Sequence, residues 1–172
     1  MCVFTNLIYT IIILLAAVTT EELEGLFAGF LNGVGGHDYR SDMKTCITNP
    51  DEITAAVNKV IDDIENISIS SLEDAVEQIM TLVGTIPADF SNCTTMTADL
   101  TKMETWLSIP LTVDELEKIV TNIENNVAAI STKAAEALAM FETKLYYQCG
   151  GAIQAIVADI IGAPATVGEP LF

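Results

Sequence analysis

Few residues in this chain could do chemistry. His37 is its single imidazole. A histidine-based triad needs a nucleophile and an orienting acid around such a ring, and a multi-histidine metal site needs a second ring. His37 sits among Gly35, Gly36, Asp38 and Tyr39, so it reads as an exposed loop histidine. Carboxylates are abundant, but neither Asp62, Asp63 and Glu65 nor Asp114, Glu115 and Glu117 has the spacing of a calcium loop. Such a loop needs alternating oxygen ligands, a mid-loop glycine and a closing glutamate. These acids read instead as solvated helix faces and favourable helix-start charges. Gly33-Val-Gly35-Gly36 lacks the following Lys-Ser/Thr of a phosphate loop, and no Gly-x-Ser-x-Gly elbow occurs. No catalytic, cofactor-binding or metal-ligating residue is assigned, and enzyme activity is not expected.

Cysteine and asparagine chemistry says more. Before Glu21 the chain has no charged side chain, and it carries a short apolar core over residues 11–18. That core is too short to span a bilayer comfortably but suits a signal peptide. Ala17 and Thr19 are small residues where a signal peptidase would cut, so cleavage is expected between Ala17 and Thr20. An uncleaved anchor is the alternative reading. Cleavage leaves no membrane span and places the chain in an oxidising compartment, secreted or extracellular. Cys2 then leaves with the signal, and Cys46, Cys93 and Cys149 remain. Cys46 to Cys93 is the preferred bridge, because both fall near helix boundaries. Closing that loop stabilises by roughly 4 kcal/mol, less any strain. Cys149 is left as a free buried thiol or as an intermolecular partner. Asn66-Ile-Ser and Asn92-Cys-Thr are glycosylation sequons, the first in an expected interhelical loop and the second beside a bridging cysteine.

These groups must be positioned by helices. The chain has 172 residues, 51% hydrophobic, which suits one domain with a real core. Its net charge of −17 repels phosphate backbones and anionic headgroups, which excludes nucleic acid as a partner. Helical periodicity dominates. Leu23, Leu26, Phe27, Phe30 and Leu31 share a face over residues 21–31, ended by the breaker cluster Asn32-Gly-Val-Gly-Gly. Asn49, Pro50 and Glu52 start a second helix with Ile53, Ala56, Val57, Val60, Ile61 and Ile64 on one stripe. Ser70 and Glu73 start a third. A fourth carries Phe90, Cys93, Met96, Leu100, Met103 and Leu107. Thr112 and Glu115 open a fifth, with Val113, Leu116, Val120, Ile123, Val127 and Ile130 as a narrow seam.

Leu138, Phe141 and Leu145 are expected to face inward over an alanine-rich continuation. Gly150-Gly151 weakens any helix by about 1 kcal/mol each, yet the pair permits close helix contact. Ile153, Ile156, Val157, Ile160 and Ile161 form the last stripe. The methionines read as core filler. The expected architecture is all-α: an antiparallel bundle of four to five main helices over residues 21–162, after a signal peptide over 1–20. A loose tail is expected over 163–172.

Several of these features resemble a group of small secreted helical proteins of ciliates. The likeness lies in Phe27-Ala-Gly29-Phe30-Leu-Asn-Gly33, in Cys46 and Cys93 at the ends of a helical pair, and in Asn122-Ile-Glu-Asn-Asn126. It continues in Tyr146-Tyr147-Gln-Cys149-Gly150 followed by Ile153. It spans roughly residues 25–162 and implies secretion and an all-helical fold, with no activity attached. Cys149 departs from the group's pattern, in which an aromatic or small residue precedes the glycine. The functional expectation is a secreted, acidic, non-catalytic glycoprotein that acts through a protein partner or self-assembly, as a surface, matrix or assembly component. The alternatives are a carrier of a small apolar ligand between helices and an inhibitor or effector that binds another protein.

Overall fold

Thr19 and Glu22 begin the first helix. Thr19 Oγ1 accepts the Glu22 amide at 3.4 Å and the Thr19 amide donates to Glu22 Oε2 at 2.7 Å, a reciprocal capping box. The computed structural model describes residues 19–43, 53–55, 58–59, 74, 78, 92–108 and 112–164. Within them lie α1 (Thr20–Gly35), the short α2 (Arg40–Met43), a 3-10 turn (Thr94–Met96) leading into α3 (Thr97–Leu107), α4 (Val113–Glu142) and α5 (Tyr146–Ile161). The fold is an all-α bundle. Most of the helices expected after Asn49 and after Ser70 lies outside the described residues, as do residues 1–18 and 165–172.

α1 runs through the cluster expected to break it. It ends only at Gly36, whose left-handed backbone (φ 77°) lets its N–H return to Asn32 O at 2.8 Å. Glycine in a helix costs about 1 kcal/mol relative to alanine, but tertiary packing outweighs that here. A Cβ on Gly33 would meet Gln154 Oε1 at 2.5 Å, and one on Gly35 would overlap the Asp99 carboxylate. The same absence of side chains brings α1 onto α5. A Cβ on Gly29 would overlap the Tyr147 carbonyl oxygen, and one on Gly150 would overlap the Leu26 carbonyl oxygen. The pairings rise together along both helices, Gly25 with Tyr146, Gly29 with Tyr147 and Gly33 with Gln154, so α1 and α5 run parallel. Leu23, Leu26, Leu31, Ile153, Ile156, Val157 and Ile160 are buried around this contact.

α3 packs antiparallel to α1. Its expected stripe of Cys93, Met96, Leu100, Met103 and Leu107 is buried, and Trp106 joins it against Phe30, with ring centroids 6.1 Å apart. α4 starts where Thr112 caps the Glu115 amide at 3.3 Å and continues unbroken for 30 residues. It turns into α5 without glycine or proline. Leu145 N–H reaches Met140 O at 2.8 Å and Lys144 N–H reaches Phe141 O at 3.0 Å, with Lys144 held at φ 61°. This is the Schellman arrangement with lysine at its left-handed position.

The seam of α4 differs from expectation. Ile123 and Ile130 are buried, but Val113 and Val127 are exposed at 72% and 46%, and Leu145 is exposed at 46%. The buried face runs instead through Ile119, Ile123, Ile130, Ala134 and Ala137. Asn126 occupies the gap in that face. Its amide donates to Asn122 O at 2.9 Å and to Asp159 O at 3.4 Å, while Asn122 donates to Ile160 O at 2.8 Å. Two asparagines thus satisfy carbonyls that the last turn of α5 leaves without intrahelical partners. A polar residue and two alanines hide this stripe from a hydrophobicity pattern.

The glycine contact makes opposite predictions for neighbouring residues. Gly29→Ala and Gly150→Ala each force backbone apart and are expected to destabilise by about 2–3 kcal/mol. Gly151→Ala meets nothing nearer than Gly29 O at 3.7 Å and is expected to be neutral or stabilising by up to about 1 kcal/mol. Thermal melts followed by circular dichroism check the three variants. Equal losses at all three would show that helix propensity, not contact, governs these positions.

Candidate functional site

The first turn of α3 carries the most deeply buried charged side chain described. Asp99 is 1% exposed, at a helix start where a negative charge is favoured. The chain leaving α1 passes over it. Gly36 turns the backbone, and His37 and Tyr39 then drop onto the carboxylate. His37 Nδ1 lies 2.6 Å from Asp99 Oδ2, and Tyr39 donates its hydroxyl to the same oxygen at 2.9 Å. Lys102, one turn along α3, donates to Oδ1 at 2.6 Å. Burial alone would raise the Asp99 pKa. The hydrogen bonds from Lys102, His37 and Tyr39 outweigh it and hold the carboxyl below its ordinary 3.8. Tyr39 responds in the opposite sense. Burial first, then the bond to Asp99 and its charge, push the phenol up to about 12. This cluster has an orienting acid beside an imidazole, but among the described residues no hydroxyl or thiol is bonded to the ring, and Asp99 is taken up by three partners.

His37 is 66% exposed on its side chain, as expected of a loop residue, but it is not idle. It ties the turn after α1 to α3. Sequence reading missed this because Asp99 lies 62 positions away and looks like any first-turn acid. Gly35 was the available signal, since a side chain there would displace the carboxylate.

Beside the cluster lies an open groove of about 550 Å³ between α1, α3, α4 and α5. Gly33, Gly35 and Lys102 form one side. Gln154, Ala158 and Asp159 of α5 and Lys133 of α4 form the other. Lys133 donates to Asp159 Oδ2 at 2.6 Å, so each lysine in the groove faces one carboxylate. Trp106 Nε1 donates to Gly162 O at 2.8 Å and fixes the segment whose Ala163 and Pro164 close the end of the groove. Ala163 and Pro164 are the first residues of the expected tail, and 165–172 lie outside the described residues.

The other singled-out residues are scattered. Asn92 is exposed in a turn before the 3-10 segment, and Thr94 of its sequon is exposed too. Cys93 between them is 3% exposed. Cys46 and Asn66 lie outside the described residues. Cys149 is free and 1% exposed. Burial pushes its thiol up to about 12. An intermolecular bridge through Cys149 would require the packing around it to open. Among the described residues, no group of three or more His, Cys, Asp or Glu side chains could hold a metal ion, and no helix is long and apolar enough to cross a membrane. No protein family, curated protein or solved structure matches the chain.

The Asp99 cluster predicts a stability signature in acid. Folding lowers the Asp99 pKa, so its contribution is present above the unfolded carboxylate range, about 3.9, and fades as pH falls through the lower folded value. Asp99→Asn removes the charge and turns one of the two acceptor oxygens into a donor, leaving at least one of the three partners unpaired, and is expected to cost about 2–4 kcal/mol at neutral pH. The gap to the parent chain should narrow as pH falls below about 3.9. Urea melts at pH 7 and pH 3 check it, and a gap independent of pH would remove the charge from the explanation.

Proposed function

We propose that this chain is a secreted, non-catalytic helical glycoprotein that acts by binding, as a component of an extracellular surface, matrix or assembly. The observation that carries this reading is where the reactive groups go. Asp99, Tyr39 and His37 hold the turn after α1 onto α3. The free thiol, Cys149, is buried with its pKa pushed up to about 12, which keeps it protonated and unreactive. These groups serve the scaffold, and the scaffold presents an acidic surface, in keeping with the net charge of −17.

Secretion rests on the short apolar core before Glu21. The capping box favours a cut ahead of Thr19, at Ala17, because loss of Thr19 would remove a cap worth about 1 kcal/mol. The proposed Cys46–Cys93 bridge would anchor the start of α3, where Cys93 is buried. Glycosylation is proposed at Asn66 and Asn92, and exposure of Asn92 and Thr94 supports the second site. Any self-assembly would run through noncovalent surfaces, since Cys149 is covered.

The test is the native mass of the expressed protein in culture medium, with and without reductant and glycosidase. The expected result is export, a mass loss on deglycosylation, and an assembly whose size does not change when Cys149 is replaced by Ser. Cys149 should react with a thiol reagent two to three orders of magnitude faster once the chain is unfolded. Retention inside the cell, or a native Cys149 as reactive as the unfolded one, would overturn the reading.

A further inference from the structure

The groove beside the Asp99 cluster contains a polar side chain that the fold leaves unused. Gln154 is 8% exposed, so more than nine-tenths of it is buried, and it lines the groove. Its carboxamide has no hydrogen-bond partner among the described residues. Buried amides are almost always paired, and an unpaired one lowers stability. Such a group calls for an explanation, and an occupant of the groove supplies one.

Neighbouring chemistry narrows the occupant. Lys102 and Lys133 each give one ammonium proton to a carboxylate, Asp99 and Asp159, at 2.6 Å. Each keeps two further donors. Asp159 keeps acceptor capacity, and Gln154 offers both a donor and an acceptor. The two lysines and two aspartates cancel in formal charge, and the whole chain carries −17, so a small anion gains little here. A purely apolar ligand would leave the Gln154 amide unpaired and add to the loss. A neutral ligand bearing several hydroxyls and an amide would meet every one of these groups. The volume, about 550 Å³, lies within the range of small-molecule sites.

We propose that the groove formed by Gly33, Lys102, Lys133, Gln154, Ala158 and Asp159 binds a neutral, hydroxyl-rich small molecule of the amido-sugar type. The Gln154 carboxamide pairs with the ligand's amide. The two lysines and Asp159 meet its hydroxyls. The small side chains of Gly33 and Ala158 leave room for its ring. Gly33 also holds Gln154 in place, because a Cβ there would stand 2.5 Å from Oε1 and 2.8 Å from Cγ.

The experiment titrates N-acetylglucosamine into the isotopically labelled, oxidised chain and follows the Gln154 side-chain amide resonances. Glucose and inorganic phosphate are titrated separately. The expected result is a saturable shift with N-acetylglucosamine and a weaker one with glucose. Gln154→Leu should weaken binding at least tenfold, with the helical spectrum unchanged and a higher melting temperature. If Gln154→Leu fails to fold, Gly33→Ala tests the same point, since Gly33 is exposed and its Cβ displaces the amide. It too should weaken binding at least tenfold. No saturable shift at about 10 mM sugar, weaker than millimolar affinity, would overturn the proposal. So would saturation by phosphate alone, or unchanged affinity in a folded variant.

Discussion

The approach of α1 to α5 through Gly29 and Gly150 sets the geometry of everything around it. Each glycine sits where any side chain would strike the opposing backbone carbonyl. The contact is therefore reciprocal, and the two backbones settle at a separation that no larger residue allows. Dense packing follows from it. Leu23 and Leu26 of α1 and Cys149, Ile153 and Val157 of α5 are buried in one core. The loss of helix propensity at the glycines, about 1 kcal/mol each, is offset by burial of these chains at about 25 cal/mol per Å². The same register, continued one turn further, lays Gln154 over Gly33. The groove is a consequence of the helix contact.

The second constraint is electrostatic. A buried carboxylate is costly when unpaired, and several kcal/mol of that penalty must be met by partners. Asp99 meets it from two directions. Lys102 comes from its own helix, and His37 and Tyr39 come from the segment that leaves α1. Two different parts of the chain become coupled at one side chain. Arg40 extends this segment outward. It pairs with Asp38 at 2.5 Å and stacks over the Tyr147 ring at 4.5 Å. These exposed contacts are worth little individually. Their effect is to orient the strand of chain that carries His37 and Tyr39.

What the sequence disclosed, and what it hid, follows from the range of the interactions. The start of α4 was legible because Thr112 and Glu115 are three residues apart and act locally. The stripes of α3 and α5 were legible because apolar residues recur at three and four. The full reach of α1 was not, since Asn32-Gly-Val-Gly normally breaks helices and only Gln154 and Asp99, far along the chain, explain why glycines belong there. The seam of α4 was misplaced for a related reason. Its buried face includes Asn126 and two alanines, and the asparagine is inside because it serves the carbonyls of α5. The turn at Lys144 carried no signal, because lysine occupies a position usually given to glycine. Apart from the glycine at Gly35, the Asp99 cluster left no signal, because it joins residues 37, 39 and 99 by tertiary contact.

The C-terminal end of α5 shows how these constraints combine. A helix end leaves four carbonyls without partners, and this one lies partly buried against α3 and α4. Asn122 and Asn126 donate from α4 to the carbonyls of Ile160 and Asp159, and Trp106 donates from α3 to that of Gly162. Lys133 neutralises Asp159, whose negative charge at a helix C-terminus would otherwise be unfavourable. So the fold takes care to satisfy polar groups at this end, from two separate elements, α3 and α4. Gln154, one and a half turns earlier on the same helix, is more deeply buried than Asp159 or Gly162 and receives none of that care. A structure that spends two asparagines, a lysine and its only tryptophan on one helix end had the means to pair a glutamine. That contrast within a single helix separates Gln154 from an accident of packing and gives the groove beside it a claim to function.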